Sequence, residues 1–114
     1  MPCIEAKLTV TMDLGQREVL QKKLTDAAVE ALGKPKKFVM VTIEEHCPLW
    51  MAGEKLTKGA YVAVRMLGDA SRDACTDLTK RICAILNEAF GIEGKAVYVS
   101  FHPVETWGWD GHLF

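Results

Sequence analysis

The feature that most constrains how this chain can fold is an internal repeat at an offset of 58 residues, seen in the pairing of Leu20 with Leu78, Leu24 with Ile82 and Gly33 with Gly91. Lys23 with Arg81, Val39 with Val97, Val41 with Val99 and Thr42 with Ser100 keep the same spacing. The copies run over about residues 2–43 and 60–101. In the first, Ile4, Ala6, Leu8 and Val10 alternate with Cys3, Glu5, Lys7 and Thr9, the period of a strand over Cys3 to Val10. Asp13 and Gln16 have capping-box spacing, and Leu20, Leu24, Ala27, Ala28 and Ala31 then fall on one helical face opposite Lys22, Lys23 and Glu30. Gly33-Lys34-Pro35 stops the helix, because Gly accepts a left-handed conformation and Pro disfavours helix at the residue before it. A strand over Phe38 to Ile43 follows. The second copy predicts a strand over Ala60 to Leu67, a helix over about Arg72 to Phe90 with the stripe Cys75, Leu78, Ile82, Ile85, Leu86 and Ala89, and a strand over Val97 to His102.

Each copy is one βαβ unit, whose right-handed crossover brings its two strands parallel. The expected fold is α+β: one domain over residues 1–114, with a four-stranded mixed sheet and both helices on one face. The other face, read as partly apolar, then needs cover, and two helices cannot supply it; further copies of the chain can. A ferredoxin-like fold uses the same order of elements and differs in how the halves join. That fold often hosts binding modules, so it carries a non-enzymatic alternative.

At 114 residues and 12.6 kDa the chain has room for a single core. Fourteen Lys and Arg against fifteen Asp and Glu leave a net charge of −1, which gives no broad basic field for nucleic acid or an anionic membrane. No apolar run approaches the roughly 18 residues of a membrane helix, and Glu5 and Lys7 interrupt the place where a signal peptide would carry its apolar core; a cytoplasmic protein is expected. Cys3, Cys47, Cys75 and Cys83 form no Cys-x-x-Cys pair, which argues against a zinc site, a thioredoxin-like motif or a disulfide framework. His46, His102 and His112 have no spacing of a metal site or a triad and read as solvated or hydrogen-bonded loop residues. No metal and no cofactor is expected.

Chemistry points to Met1-Pro2. Pro is a small residue that commonly permits removal of the initiator methionine, and removal would leave a secondary amine at the start of a strand. Its plainer reading is a strand-start residue, where a missing N–H costs nothing. Proton transfer beside a carbonyl needs a base that is neutral near physiological pH, and a cation to hold an acidic substrate. Pro2 and Lys34 can supply both, although Lys34 also reads as a helix-terminal cation worth about 0.3 to 1 kcal/mol. Tyr98 and Ser100, two apart on one strand, share a face. Trp107, Trp109 and Phe114 are a wall around an apolar ligand or packing at a subunit boundary. Between Glu44 and Lys58 the periodicity fails, and the segment reads as a partly buried loop.

Met1-Pro2, Gly33-Lys34-Pro35, Val97-Tyr98-Val99-Ser100-Phe101 and the closing Trp107-Gly108-Trp109-Asp110-Gly111-His112-Leu113-Phe114 together resemble the macrophage migration inhibitory factor family of the tautomerase superfamily, over essentially the whole chain. The resemblance implies a homotrimer with sheets around a central channel and active sites at subunit boundaries. It implies a keto-enol tautomerase of phenylpyruvate-like α-keto acids, with Pro2 as base and acid after Met1 is removed. Lys34 would bind the substrate carboxylate, helped by backbone near Leu67, while Tyr98 and Ser100 would come from the neighbouring subunit. Trp107, Trp109 and Phe114 would form part of an aromatic wall. Three departures limit the transfer. Ser100 stands where members usually have Asn, Trp50-Met51-Ala52-Gly53-Glu54 replaces a Phe-Gly-Gly-Ser loop, and the Cys-x-x-Cys of members given a redox role is missing, so no thiol oxidoreductase activity is expected. The cytokine activity of animal members is not carried over, since the surface loops diverge. The alternative within the same fold is a signalling or small-ligand-binding protein with a vestigial pocket.

Overall fold

The computed structural model describes residues 1–114. In order, the chain forms β1 (Pro2–Leu8), α1 (Leu14–Leu32), a 3-10 turn at Lys36–Phe38, β2 (Met40–Glu44), β3 (Trp50–Met51), β4 (Glu54–Lys55) and β5 (Ala60–Leu67). It continues through α2 (Arg72–Phe90), a 3-10 turn at Gly94–Ala96, β6 (Val97–Val104), β7 (Gly108–Trp109) and β8 (His112–Leu113). The Asp13 carboxylate accepts from the Gln16 N–H at 2.7 Å and the Gln16 side chain accepts from the Asp13 N–H at 2.9 Å, which is the capping box the spacing predicts. On α2 the Ser71 hydroxyl plays the first of these parts, accepting from the Ala74 N–H at 3.1 Å. Both helices end on a left-handed glycine, Gly33 at φ 66° and Gly91 at φ 70°.

The four long strands lie in the order β2-β1-β5-β6. Within each unit the two strands pair directly and in parallel, β1 with β2 and β5 with β6, and the units meet at an antiparallel seam between β1 and β5. That pairing excludes the ferredoxin-like alternative, whose split βαβ unit places another strand between its two parallel strands. Along the seam Glu5 opposes Ala63, its own counterpart 58 residues later, so a pseudo-twofold axis crosses the sheet there.

The repeat reaches further than the sequence pattern shows. Both helices, both 3-10 turns and both short hairpins recur at the same offset, β3–β4 matching β7–β8. In the hairpins the central pairs Ala52-Gly53 and Asp110-Gly111 all have positive φ, at 54° and 78° and at 51° and 78°. Positive φ at both central residues belongs to the mirrored turn whose twist suits a two-residue hairpin. The residues flanking each hairpin are tied alike, with the Leu56 N–H donating to the Leu49 carbonyl at 2.9 Å and the Phe114 N–H to the Trp107 carbonyl at 3.0 Å. The segment from Glu44 to Lys58, expected to be a loop, therefore contains a hairpin. β1 is also shorter at its end than expected, β2 starts later because Phe38 lies in the 3-10 turn, and β6 runs on to Val104.

Ile4, Ala6, Leu8, Val62, Val64 and Met66 face the helices and pack against Leu20, Leu24, Leu78, Ile82 and Leu86. The uncovered face is mostly polar and, as expected, partly apolar, with Met40, Ala63, Leu67 and Val104 on it. Alternation puts Cys3, Glu5, Lys7, Thr42, Glu44, Tyr61, Arg65, Tyr98, Ser100 and His102 there. Glu5 and Arg65 pair across it at 3.1 Å. Exposed large apolar side chains are Met40 and Tyr98 on that face, and Trp50, Trp109, Leu113 and Phe114 in and beside the hairpins, among others. No helix is long and apolar enough to cross a membrane.

Candidate active site at the start of the first strand

Pro2 begins β1 and is buried, opposite Met66 on β5. Leu67 and Val104, paired with each other, end β5 and β6 at that level, and the β7–β8 hairpin starts four residues beyond. On the other flank the register of Cys3 with Met40 places Pro2 level with Val39, next to Phe38. Lys34 follows the left-handed Gly33 that turns the chain out of α1 and is half-buried. One end of the sheet thus gathers Pro2, Lys34, Leu67, Trp109 and Phe114.

With Met1 in place the Pro2 nitrogen is an amide, and the Met1 amine reports the electrostatics of this end. Burial first, and the Lys34 charge second, hold that amine below the ordinary α-amino range. Both causes disfavour a protonated amine. A lowered pKa leaves more free base at neutral pH.

The aromatic wall has a member the sequence reading missed. Phe38 meets Trp109 edge-on at 5.3 Å between centroids and Phe114 at 5.6 Å, while Trp109 and Phe114 stack at 5.7 Å. His112 adds an edge contact to Trp109 at 5.8 Å. Trp107 contributes differently, through the carbonyl that ties Phe114, and its ring is in none of these pairs. Phe38 had a legible signal, four residues after Lys34, but strand periodicity claimed it first.

Tyr98 and Ser100 are not brought to this end within one chain. Tyr98 pairs with Tyr61, which pairs with Lys7, whereas Pro103 is level with Met66 and Pro2. Five strand residues from Pro103 to Tyr98 span about 17 Å. Tyr98 also lies on the uncovered face and is 67% exposed. Ser100 sits in a hydrogen-bonded chain, its Oγ 2.7 Å from the Tyr61 hydroxyl and 2.7 Å from His102 Nε2. His102 is therefore hydrogen-bonded and ends the strand expected over Val97 to His102, which corrects only its reading as a loop residue. Ser100 and His102 being two apart was the available signal.

No group of three or more His, Cys, Asp or Glu side chains gathers as a metal site. The Cys3 thiol is pushed up by burial and by Glu5, against a smaller opposing effect of Arg65, and burial pushes Cys83 up as well. Both thiols are thereby kept toward the un-ionised form. Of the nine cavities on the single chain, five have volumes of about 230 to about 440 Å³ and linings that do not include Pro2 or Lys34. A cavity of about 340 Å³ at the β7–β8 hairpin is lined by Trp109 and His112 of the wall.

A duplicated βαβ fold with a Pro at the start of its first strand and a Lys just past its first helix defines a protein of the tautomerase-superfamily type. The family described as macrophage migration inhibitory factor (MIF) matches residues 1–114, and the chain belongs to that family. Among solved structures, MIF2 of Leishmania major is similar at 29% identity and TM-score 0.92, over 100% of this chain and 97% of that one. The macrophage migration inhibitory factor homologue of Prochlorococcus marinus is similar at 25% identity and TM-score 0.87, over 98% of both chains. A fused 4-OT described as a wild-type symmetric trimer shares the fold at 21% identity and TM-score 0.86, over 97% of this chain and 94% of that one. The comparison with curated proteins finds none that matches.

Proposed function

We propose that this chain is a keto-enol tautomerase of phenylpyruvate-like α-keto acids, acting without metal or cofactor once Met1 has been removed. The observation that carries the reading is the gathering of Pro2, Lys34 and the Phe38, Trp109 and Phe114 wall at one end of the sheet, where burial and Lys34 also lower the pKa of the Met1 amine. The free Pro2 amine takes a proton from the carbon next to the substrate carbonyl and returns it to the enolate oxygen, and the reverse direction uses the same group as acid. Lys34 holds the substrate carboxylate, and backbone near Leu67 lies at the same end of the sheet. Phe38, Trp109 and Phe114 face the apolar part of the substrate, with Trp107 fixing Phe114 through its backbone.

Assembly completes the site. Tyr98 and Ser100 lie about 17 and 10 Å along the sheet from the level of Pro2, so they serve the Pro2 of a neighbouring copy rather than their own. A homotrimer is supported by the trimeric state of the fused 4-OT that shares the fold, and by a polar sheet face suited to line a central channel. The substrate class and the assembly are both accessible to experiment. Ultraviolet assay of phenylpyruvate exchange, on protein shown by intact mass to begin at Pro2, should give a rate that Pro2→Gly lowers by about a hundredfold or more. An unchanged rate in Pro2→Gly overturns the mechanism. Solution mass should be three times 12.6 kDa, and a stable monomer contradicts the assembly.

The second reading, a non-enzymatic ligand-binding protein, draws on one observation. Ser100 already shares its hydroxyl with Tyr61 and His102, which leaves it less capacity toward a substrate than a free side chain has. Normal processing with no exchange, together with saturable binding of phenylpyruvate, would favour it.

A further inference from the structure

The pseudo-twofold axis that relates the two units also sets α1 and α2 antiparallel and divides the groove between them into two related halves. The halves are not alike. At an offset of 58, Val19 stands for Asp77, Lys23 for Arg81 and Glu88 for Glu30. In one half Arg81 pairs with Asp77, one helical turn away, at 2.9 Å, and with Glu30 on the facing helix. In the other half Val19 gives Lys23 no carboxylate at that spacing, and neither Lys23 nor Glu88 takes part in an ion pair.

A cavity opens where that acid is missing. Its volume is about 440 Å³, and Val19, Leu20, Ile85, Ala89 and Phe90 line it between Lys23 at one end and Asp13 at the other. The ten residues of chain from Asp13 to Lys23 rise about 15 Å, so the space is long. Small-molecule sites are of this size, mostly apolar, with a few polar groups that fix orientation. Val19 is 53% exposed, so apolar surface is left to water here. The two end charges differ in availability. Asp13 serves the cap, its carboxylate accepting from the Gln16 N–H at 2.7 Å, whereas Lys23 has no partner. Beyond Lys23 the groove runs on into a cavity of about 280 Å³, where the acids are already neutralised, Asp26 by Lys36 at 3.4 Å and Glu30 by Arg81. An anion at Lys23 therefore meets a free ammonium, with Glu88 as its competitor.

We propose that this half of the groove binds an aliphatic chain with a single anionic head, of the size of a medium-chain fatty acid. The chain lies over Val19, Ile85 and Phe90, and the head meets Lys23. The site is on the helix layer, on the far side of the sheet from the face proposed to line the channel. None of its lining residues belongs to the Pro2 end or to the residues that a neighbouring copy supplies. Binding here does not depend on Pro2 being free.

Titration of the assembled, full-length protein with decanoate, followed by amide and methyl NMR, tests it. Saturable shifts should appear at Val19, Ile85 and Phe90, and saturating phenylpyruvate should leave them in place. Decyltrimethylammonium, with the same chain and the opposite charge, should bind about tenfold more weakly. Lys23→Glu should reverse that order. Val19→Asp, which restores the pair of the other half, should abolish the decanoate shifts, and Glu88→Gln should tighten decanoate binding. All three substitutions are at exposed positions and should leave phenylpyruvate exchange within about twofold. Shifts confined to Trp109 and Phe114, shifts that never saturate, equal binding of the two probes, or an order unchanged in Lys23→Glu would overturn the proposal.

Discussion

At one end of the sheet β1 begins at Pro2, near Lys34, Phe38 and the β7–β8 hairpin; at the other β5 begins at Ala60, near Ile92, Ala96 and the β3–β4 hairpin. The two ends share strand starts, helix ends and hairpin geometry to within a few degrees of φ. They differ in the side chains that could move a proton or hold an anion. The difference teaches that the fold requires the left-handed glycines, the mirrored turns and the apolar stripes, because both copies keep them. Pro2, Lys34 and Phe38 are not needed to build the unit, since the copy with Ala60, Ile92 and Ala96 folds in the same way.

Matched substitutions in the two copies test how far the halves are equivalent. The largest effect is expected in the core, where Leu20→Ala and Leu78→Ala should each cost about 2 to 5 kcal/mol in denaturant unfolding, both side chains being fully buried or nearly so. A cost confined to one copy would break the equivalence of the halves. Next comes Lys34→Ala, which should raise KM for phenylpyruvate about tenfold with a smaller change in kcat, because the lost contact is made to substrate and transition state alike. Its counterpart Ile92→Ala should destabilise the fold and leave KM unchanged, which thermal melts and kinetics separate.

Smaller still are the caps. Asp13→Ala and Ser71→Ala should each cost about 1 kcal/mol, since each removes the one side-chain oxygen that accepts a first-turn N–H. The subtlest effect is on pH dependence. In the processed protein kcat/KM should rise with pH as the amine loses its proton, with a midpoint below the ordinary α-amino value. Lys34→Ala removes one of the two causes of that lowering, so the midpoint should move up. A downward move contradicts the electrostatic account.

The sequence made the helices and the sheet legible because their periods and stops are local: the Asp13–Gln16 spacing, the stripe through Leu78, Ile82 and Leu86, and Gly33 and Gly91. It hid the β3–β4 hairpin, whose turn is Ala52-Gly53, whereas Asp110-Gly111 of the β7–β8 hairpin is a pair that favours such a turn and went unread. A two-residue turn is specified by backbone angles that Ala52 and Asp110 adopt with no sequence signature in common. The site was legible in part. Pro2, Lys34 and Trp109 could be named from motifs, but Phe38 joins the wall only because the 3-10 turn after Pro35 carries it there. The Tyr61, Ser100, His102 chain depends on the register of β5 with β6, which no local pattern states.

The central claim is that the free amine of Pro2 is the base, and retained methionine offers a direct comparison on one polypeptide. Protein separated by intact mass into forms beginning at Met1 and at Pro2 should show phenylpyruvate exchange only in the second. Equal rates in the two forms would contradict the account, because an amide nitrogen at Pro2 has no lone pair to offer.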